Sequence, residues 1–230
     1  MGYGPTKEEM EQIMALKKAK GFKSANLTEQ QIAEIGFQNS GDLLDDEDKK
    51  LIAKIGKAAR DYQYEFRGCA QTTLKALQEN LGIKGSDTFK AASALAGGIA
   101  SKGKGSCGAL VGGVLALGLE FGRADFAEDG PPRRRGVGVS NFKVAYDLSG
   151  ELYESFKKVY FGEIICNEIQ KHVYGAPVTG AVSSDPDIIK AKEDGVYWSM
   201  IAEEARWVTE VAARLTAEII LRERKKKGKK

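Results

Sequence analysis

The chain has 230 residues, and 35 Lys and Arg against 32 Asp and Glu give it a formal net charge of +3. Its 42% hydrophobic and 29% charged residues form an ordinary globular composition, which excludes a wholly disordered chain. No apolar run approaches the roughly 20 residues that a membrane span needs. The first residues do not have the pattern of a signal or transit peptide.

The charge is distributed unevenly along the chain. Residues 222–230 hold seven Lys or Arg and one Glu, a net charge of +6, which leaves −3 on residues 1–221. A basic tail of this kind is more often a solvated, frayed helix end than a binding segment, although weak contact with the phosphates of nucleic acid is open to it. Nucleic acid and membranes are not expected as partners of the faintly acidic body.

Helical patterns fill the first third of the chain. A capping box opens a helix at Thr6, a short helix starts at Thr28, and the acidic residues Asp45 and Asp46 belong to the first turn of a third. The segment 1–45 therefore has the character of a charged N-terminal helical extension.

Three apolar helices are expected next. Gly82 is a C-cap that ends the first, Asp87 caps the second, and Ser106 caps the third. Their predicted ranges are Cys69–Leu81, Thr88–Ala96 and Cys107–Phe121. The third contains a single charge, so we expect it to be buried on every side. Two glycines one turn apart in it, Gly108 and Gly112, allow another helix to come close.

The second half of the chain continues the helical pattern after a long surface loop over 123–142. Helical spacing predicts a helix from about Leu148 to His172 with Cys166 on its inward stripe, and then a Gly/Pro/Ser segment over 175–186. A long helix runs from about Asp187 to beyond Ile220, and its apolar seam suits packing in a bundle or against a second subunit.

No strand pattern of similar quality appears anywhere in the sequence. We therefore predict an all-α protein, a compact multi-helix bundle with a charged N-terminal helical extension and a long C-terminal helix. The domain boundaries that follow are an extension over 1–45, a cysteine-containing helical domain over 46–221 and a basic tail over 222–230.

One motif match is rejected. Gly98 to Lys104 fits the start of a phosphate-binding P-loop, G-x-x-x-x-G-K, but Gly105 stands where Ser or Thr should bind magnesium. The segment before it is an alanine-rich helix and not a strand, so the loop amides would not be aimed at phosphates.

The cysteines and the histidine limit the possible chemistry. Three widely spaced cysteines, Cys69, Cys107 and Cys166, do not form a secreted disulfide framework, so a reducing, cytoplasmic compartment is expected. The single histidine, His172, excludes a multi-histidine metal site within one chain. It lies near a helix C-terminus, where a capping role is more common than a ligand role.

Two of the cysteines stand where a helix begins. The unpaired amides and the positive dipole end of a first turn favour the thiolate form of Cys69 and Cys107. Nearby basic residues, Arg67, Lys102 and Lys104, act in the same direction. Thiolate is the form that ligates metal or attacks a disulfide. Cys166, on an apolar stripe, would by itself be a buried and inert thiol.

At these residues the chain resembles a known family. The segment Gly68 to Gln71 (GCAQ), the pair Gly97 and Gly98, the stretch Gly105 to Gly113 (GSCGALVGG) and Cys166 resemble the redox-active proteins named for their C, GCAxxG, C and C motifs. The resemblance covers roughly residues 58–220. A similar domain occurs in split-Soret cytochromes, where it accompanies haem and an iron–sulfur centre in a dimer.

The chain departs from the family at one ligand. Members usually supply a fourth cysteine in the last helical region, and here the stretch 197–206 contains none. Glu203, Glu204 or His172 could instead complete a set of ligands, or one iron position would stay open. The opposite inference is also available, namely that the cluster has been lost. No C-x-x-C-H is present, so covalent haem is not expected.

The resemblance implies a redox-active electron-transfer protein. Cys69, Cys107 and Cys166 would bind an iron–sulfur cluster or another metal centre, and Gly68, Gly105 and Gly108 would let the backbone approach it. A homodimer and a redox partner protein are expected. The alternative is a non-catalytic accessory subunit of a larger redox complex, with the cluster lost or absent.

Two further possibilities carry less weight. A thiol–disulfide enzyme is disfavoured because the chain has no C-x-x-C pair, so two distant cysteines would have to meet in space. The aromatic residues Tyr62, Tyr64 and Phe66 could wall a cofactor pocket, although such a helix-spaced set more often belongs to the core.

Overall fold

The computed structural model describes residues 27–37, 40–129, 141–174 and 196–228, together with a few isolated helical positions before residue 16 and at Lys190. Eight α-helices lie in this part of the chain: α1 Glu29–Ala33, α2 Asp46–Phe66, α3 Cys69–Leu81, α4 Ser86–Ala91, α5 Gly108–Phe121, α6 Asn141–Val159, α7 Cys166–Tyr174 and α8 Val196–Gly228. Short 3-10 helices lie at Gly41–Leu43, Ala92–Leu95 and Phe126–Asp129. The described residues contain no β-strand, which confirms the all-α prediction.

Helix α8 lies at the centre of the bundle. It packs against α2, α3, α5 and α6, and every residue from Val208 to Arg222 is buried. Some of its buried polar side chains have partners on surrounding segments; for example, Ser40 donates a hydrogen bond of 2.7 Å to Glu218. The predicted apolar seam is therefore covered within the chain itself from Val208 onward.

Helix α5 was expected to be buried on every side, and that expectation is wrong. Val111, Val114 and Leu115 are half-buried, and Gly118 is exposed. The reason is that apolar composition does not set a helix's place in the bundle. The central position belongs to α8, a more polar helix, several of whose charged side chains form ion pairs with neighbouring helices.

Several predicted helix ends are confirmed. Thr28 caps α1 through a capping box, as the predicted start there requires. Asp46 lies in the first turn of α2 as expected, whereas Asp45 is its N-cap and accepts two hydrogen bonds of 3.0 Å from backbone amides. Gly82 ends α3 in the left-handed conformation.

Other local predictions are wrong. Gly85, and not Asp87, precedes the first turn of α4. Ser106 caps no helix but pairs with Ile165 in an isolated antiparallel bridge. Cys107 is itself the N-cap of α5.

The helix predicted over 148–172 is two helices, α6 and α7. The chain turns between them at Phe161 and Gly162, which have positive φ values of 56° and 87°. A right-handed helix cannot pass through this conformation, so a new helix begins at Cys166.

The end of α8 is held against the bundle. Arg222, 7% exposed, makes a bidentate ion pair with Glu151 at 2.5 and 2.6 Å, and Arg224 makes another with Glu120. Lys225 contacts Asp45 and lowers the pKa of that carboxyl to about 2, with help from backbone hydrogen bonds. The expectation of a frayed, solvated end is wrong for these residues.

Some predicted segments lie outside the described residues. They are most of the helix from Thr6, the central part of the 123–142 loop, and the 175–186 segment. Within the described part, none of the helices combines the length and apolar character needed to cross a bilayer.

Candidate functional site

All three cysteines lie at the N-termini of helices. Cys69 is the first residue of α3, Cys107 is the N-cap of α5, and Cys166 is the first residue of α7. The structure therefore adds Cys166 to the two that the sequence placed at helix starts. The thiols of Cys69 and Cys107 are close to backbone amides at the starts of their helices.

Backbone hydrogen bonds join the segments that carry these cysteines. The Cys107 amide donates to Ile164 O at 2.7 Å, and the Cys166 amide donates to Gly105 O at 3.0 Å. The Gly105 amide in turn donates to Gly98 O at 3.2 Å. These bonds fix the entry to α7 against the loop that leads into α5.

The loops before the cysteines contain every non-glycine residue with positive φ in the described chain. These residues are Arg67, Ile99, Ala100, Ser101 and Phe161. Each such conformation costs of order 1–3 kcal/mol and persists only where the surroundings impose it. Strain of this kind clusters at functional sites. Its confinement to these three loops therefore indicates that the candidate functional site lies at this end of the bundle.

Glycines make the close approaches at the site possible. A Cβ atom at Gly108 would lie 2.4 Å from the sulfur of Cys69, and one at Gly98 would lie 2.7 Å from Cys166 Cβ. A Cβ atom at Gly112 would lie 2.5 Å from the Ala70 carbonyl. The predicted close helix approach at Gly108 and Gly112 is confirmed, and the helix that approaches is α3.

The other two predicted glycines also belong to this region. Gly68, with φ 83°, precedes α3 in the left-handed conformation. Gly105 packs against the Gly98 carbonyl, where a Cβ atom would lie at 3.0 Å. Their proposed role beside a cofactor stays a prediction, as does the role of the three cysteines as ligands.

The surroundings of Cys69 and Cys107 oppose the thiolate form that the sequence predicts for them. Burial raises the pKa of Cys69 above its usual value, although the amides of Gly97, Ala70 and Gly108 act in the opposite direction. Burial and the neighbouring Cys69 raise the pKa of Cys107 to about 12. Burial, then Cys107 and Cys69, raise the pKa of Cys166. Loss of solvent around the sulfur outweighs the helix dipole.

The sulfur of Cys69 is near enough to raise the pKa of Cys107, after burial, and Cys107 and Cys69 both raise that of Cys166, after burial. The pKa of Cys166 responds to both other cysteines, and that of the buried Tyr160 is raised by burial and then by Cys107. All three cysteines are free of disulfides.

Sequence reasoning missed two contributors to the site. Gln170 donates a hydrogen bond of 3.3 Å to the sulfur of Cys166 from the next turn of α7. Asn167 occupies the space beside Gly103, where a Cβ atom would lie only 1.8 Å from its side-chain oxygen. The i,i+4 spacing of Cys166 and Gln170 would have been the signal, once a helix start at Cys166 was recognised.

The structure describes the side chain of only one candidate fourth ligand, His172. The ring of His172 stacks on Phe161 with ring centroids 4.6 Å apart. Glu203 and Glu204 have side chains outside the described residues. Among the described residues, no three His, Cys, Asp or Glu side chains are arranged to hold a metal ion.

A pocket of about 330 Å³ opens beside the first turns of α3. Tyr62 and Phe66 line it, together with Arg67 and Gln71 on either side of Cys69 in sequence. Tyr62 donates a hydrogen bond to Glu79, which raises the pKa of Tyr62 to about 12. Two of the three aromatic residues singled out in the sequence therefore wall a pocket, while Tyr64 is not among its lining residues.

The rejection of the P-loop match is supported by the hydrogen bonding of this segment. The amides of Ser101, Lys102, Gly103 and Gly105 all donate to carbonyls within 96–99. They are therefore not available to cradle a phosphate.

Comparison with known proteins places the chain in a family. The profile described as "Putative redox-active protein (C_GCAxxG_C_C)" matches residues 68–211, more than half of the chain, and the match includes all three cysteines. The chain belongs to this redox-active family. No curated protein matches the chain, and no solved structure does either.

Proposed function

We propose that this member of the redox-active family transfers electrons through a metal–sulfur centre held by Cys69, Cys107 and Cys166. The observation that carries the proposal is that three strained loops lead into the three cysteines at helix N-termini, and that backbone hydrogen bonds and close glycine contacts join these helix starts. Packing alone gives no reason for such a costly arrangement.

The donor chemistry suits an iron–sulfur cluster better than a single ion. A single tetrahedral ion with metal–sulfur bonds of about 2.3 Å requires its ligand sulfurs to lie close together. Among the described residues, no three His, Cys, Asp or Glu side chains are arranged in this way. A cluster places its ligand sulfurs further apart, and three thiolates suffice to hold one when another ligand completes the set.

The surroundings of the thiols fit the same proposal. The amides of Gly97, Ala70 and Gly108 approach the sulfur of Cys69, and the Gln170 amide group donates to that of Cys166. Hydrogen bonds to ligand sulfurs and burial from water are two of the means by which a protein sets the potential of a cluster. When bound, such a centre supplies one-electron chemistry.

The alternative is an accessory subunit of a larger redox complex in which the cysteines are merely buried. The raised pKa values of all three thiols agree with protonated, inert side chains. They agree equally with metal ligands that are protonated until metal binds and releases the protons. The same raised values weigh against a thiol–disulfide enzyme, which needs a reactive thiolate.

Anaerobic purification separates the two proposals. We expect a coloured protein that contains iron and sulfide and whose visible absorption bleaches when a chemical reductant is added. A colourless, iron-free protein that takes up no iron and sulfide on anaerobic reconstitution would contradict the cluster proposal and favour the accessory subunit.

A further inference from the structure

A second pocket, of about 450 Å³, lies where α1, α2 and α8 meet, and none of the three cysteines lines it. Four cations and two carboxylates take part in its lining: Lys54, Lys57, Arg60, Arg214, Glu29 and Glu210. Trp207 forms part of the wall, with the Arg60 guanidinium 4.9 Å from the ring centroid.

Two of the charged side chains in this pocket are more than nine-tenths buried. Arg214 is 8% exposed and Glu210 is 3% exposed. The Nε and Nη2 atoms of Arg214 both lie 2.9 Å from Glu210 Oε1. This pair leaves hydrogen-bonding capacity unused on both residues.

Three polar atoms in this cluster have no hydrogen-bond partner among the described residues, although one of them, Arg60 Nε, lies 3.6 Å from Asp61 Oδ1 as an ion pair too long for a hydrogen bond. They are Arg214 Nη1, Arg60 Nε and Glu210 Oε2. Glu210 Oε2 lies 3.3 Å from Arg60 Nη1 but accepts no hydrogen bond from it. Buried polar groups are almost always paired, so two donors and one acceptor left together at a pocket point to a missing ligand.

The chain is shaped to hold Arg214 in this position. A Cβ atom at Gly56 would lie 2.7 Å from Cγ and Nε of Arg214, and one at Gly36 would lie 3.3 Å from its Cβ. Any larger residue at Gly56 would displace the guanidinium. The buried cation therefore rests on a surface that only glycine provides.

We propose that this pocket binds a small oxyanion that also carries a hydrogen-bond donor, namely hydrogenphosphate. The two guanidinium donors would pair with phosphate oxygens, and the P–OH group would donate to Glu210 Oε2. Lys54, an exposed residue of the pocket lining, adds a favourable charge. Sulfate has no proton at neutral pH, so an oxygen facing Glu210 would be repelled. This site needs no metal centre and does not rest on the proposed electron transfer.

Trp207 provides a direct measurement of binding. The chain has two tryptophans, so a Trp198→Phe variant leaves Trp207 as the sole fluorescent indole. We expect inorganic phosphate to change its fluorescence saturably, and at matched ionic strength to bind about tenfold or more tightly than sulfate, since one hydrogen bond distinguishes them. Calorimetry on the unsubstituted protein provides the same constants. No saturable phosphate binding, or equal binding of both anions, would overturn the proposal.

Two variants test the assigned contacts without removing the buried cation. Glu210→Gln replaces the acceptor by a group that can also donate, so the preference for phosphate over sulfate should fall towards unity. Lys54→Glu should weaken phosphate binding about tenfold or more, whereas the control Lys84→Glu, an exposed lysine outside the pocket, should leave it unchanged. Unchanged binding and selectivity in both pocket variants would contradict the assignment.

Discussion

The sulfur of Cys69 lies against Gly108, a residue with no side chain, at the point where α3 and α5 meet. A Cβ atom there would lie 2.4 Å from this sulfur and 3.0 Å from the Leu95 carbonyl. The carbonyl is backbone, and the sulfur can move only by rotation about a single side-chain torsion. The close approach of Cys69 to the start of α5 therefore depends on this glycine.

Gly108→Ala tests this dependence. We expect it to lower the free energy of unfolding by about 1–3 kcal/mol through overpacking, and to reduce iron retention if the cysteines hold a cluster. The matched control is Gly118→Ala on the same helix. Gly118 is exposed, and a methyl group added to it would have no atom within 4 Å, so this change should raise the free energy of unfolding by about 0.5–1 kcal/mol.

Chemical denaturation of both variants measures the difference. Equal effects of the two substitutions would show that the space around Cys69 is not restricted. In that case the distance between α3 and α5 would adjust freely to a methyl group.

At the same residue scale, the sequence predicted where the thiols lie along their helices better than it predicted their ionisation. A helix start at Cys69 follows from local spacing, and the structure has it. The pKa depends instead on how much water the folded chain removes from the sulfur, and no local pattern contains that quantity.

At the scale of elements, the break between α6 and α7 shows why periodicity can mislead. Val159 and Cys166 are seven residues apart, which is close to two helical turns, so the apolar stripe keeps its phase across the break. Gly162 was the only local sign of the turn. Because the sequence did not show this break, the position of Cys166 at a helix N-terminus was missed.

The end of α8 gives an element-scale prediction. Arg222 pairs with Glu151 through two hydrogen bonds while it is almost fully buried. We expect Arg222→Met to lower the free energy of unfolding by about 1–3 kcal/mol, because Glu151 would lose a charge-assisted bidentate partner.

Lys226→Met is the matched control, one turn further along α8. Lys226 pairs with Glu223 at the surface, and exposed pairs of this kind are worth about 0–1 kcal/mol. Thermal or urea unfolding of the two variants makes the comparison. If Arg222→Met proves no more destabilising than Lys226→Met, the end of α8 is not anchored as the structure shows.

For the whole molecule, the all-α class followed from the sequence because helical periodicity and caps are local signals. The central place of α8 did not, because several of its buried polar residues gain their partners from segments far away in the chain. Ser40 and Glu218, for example, are separated by 178 positions. The convergence of the three cysteines has the same origin, since it depends on how α3, α5 and α7 begin next to one another.

The central claim is that Cys69, Cys107 and Cys166 form one redox centre. Its most direct test is the iron and sulfide content per chain of anaerobically purified protein, compared with the three single Cys→Ser variants, with helical circular dichroism as the control for folding. The account predicts iron and sulfide in the unsubstituted protein and a marked loss in each folded variant. Iron content that is the same in the unsubstituted protein and in all three variants would contradict it.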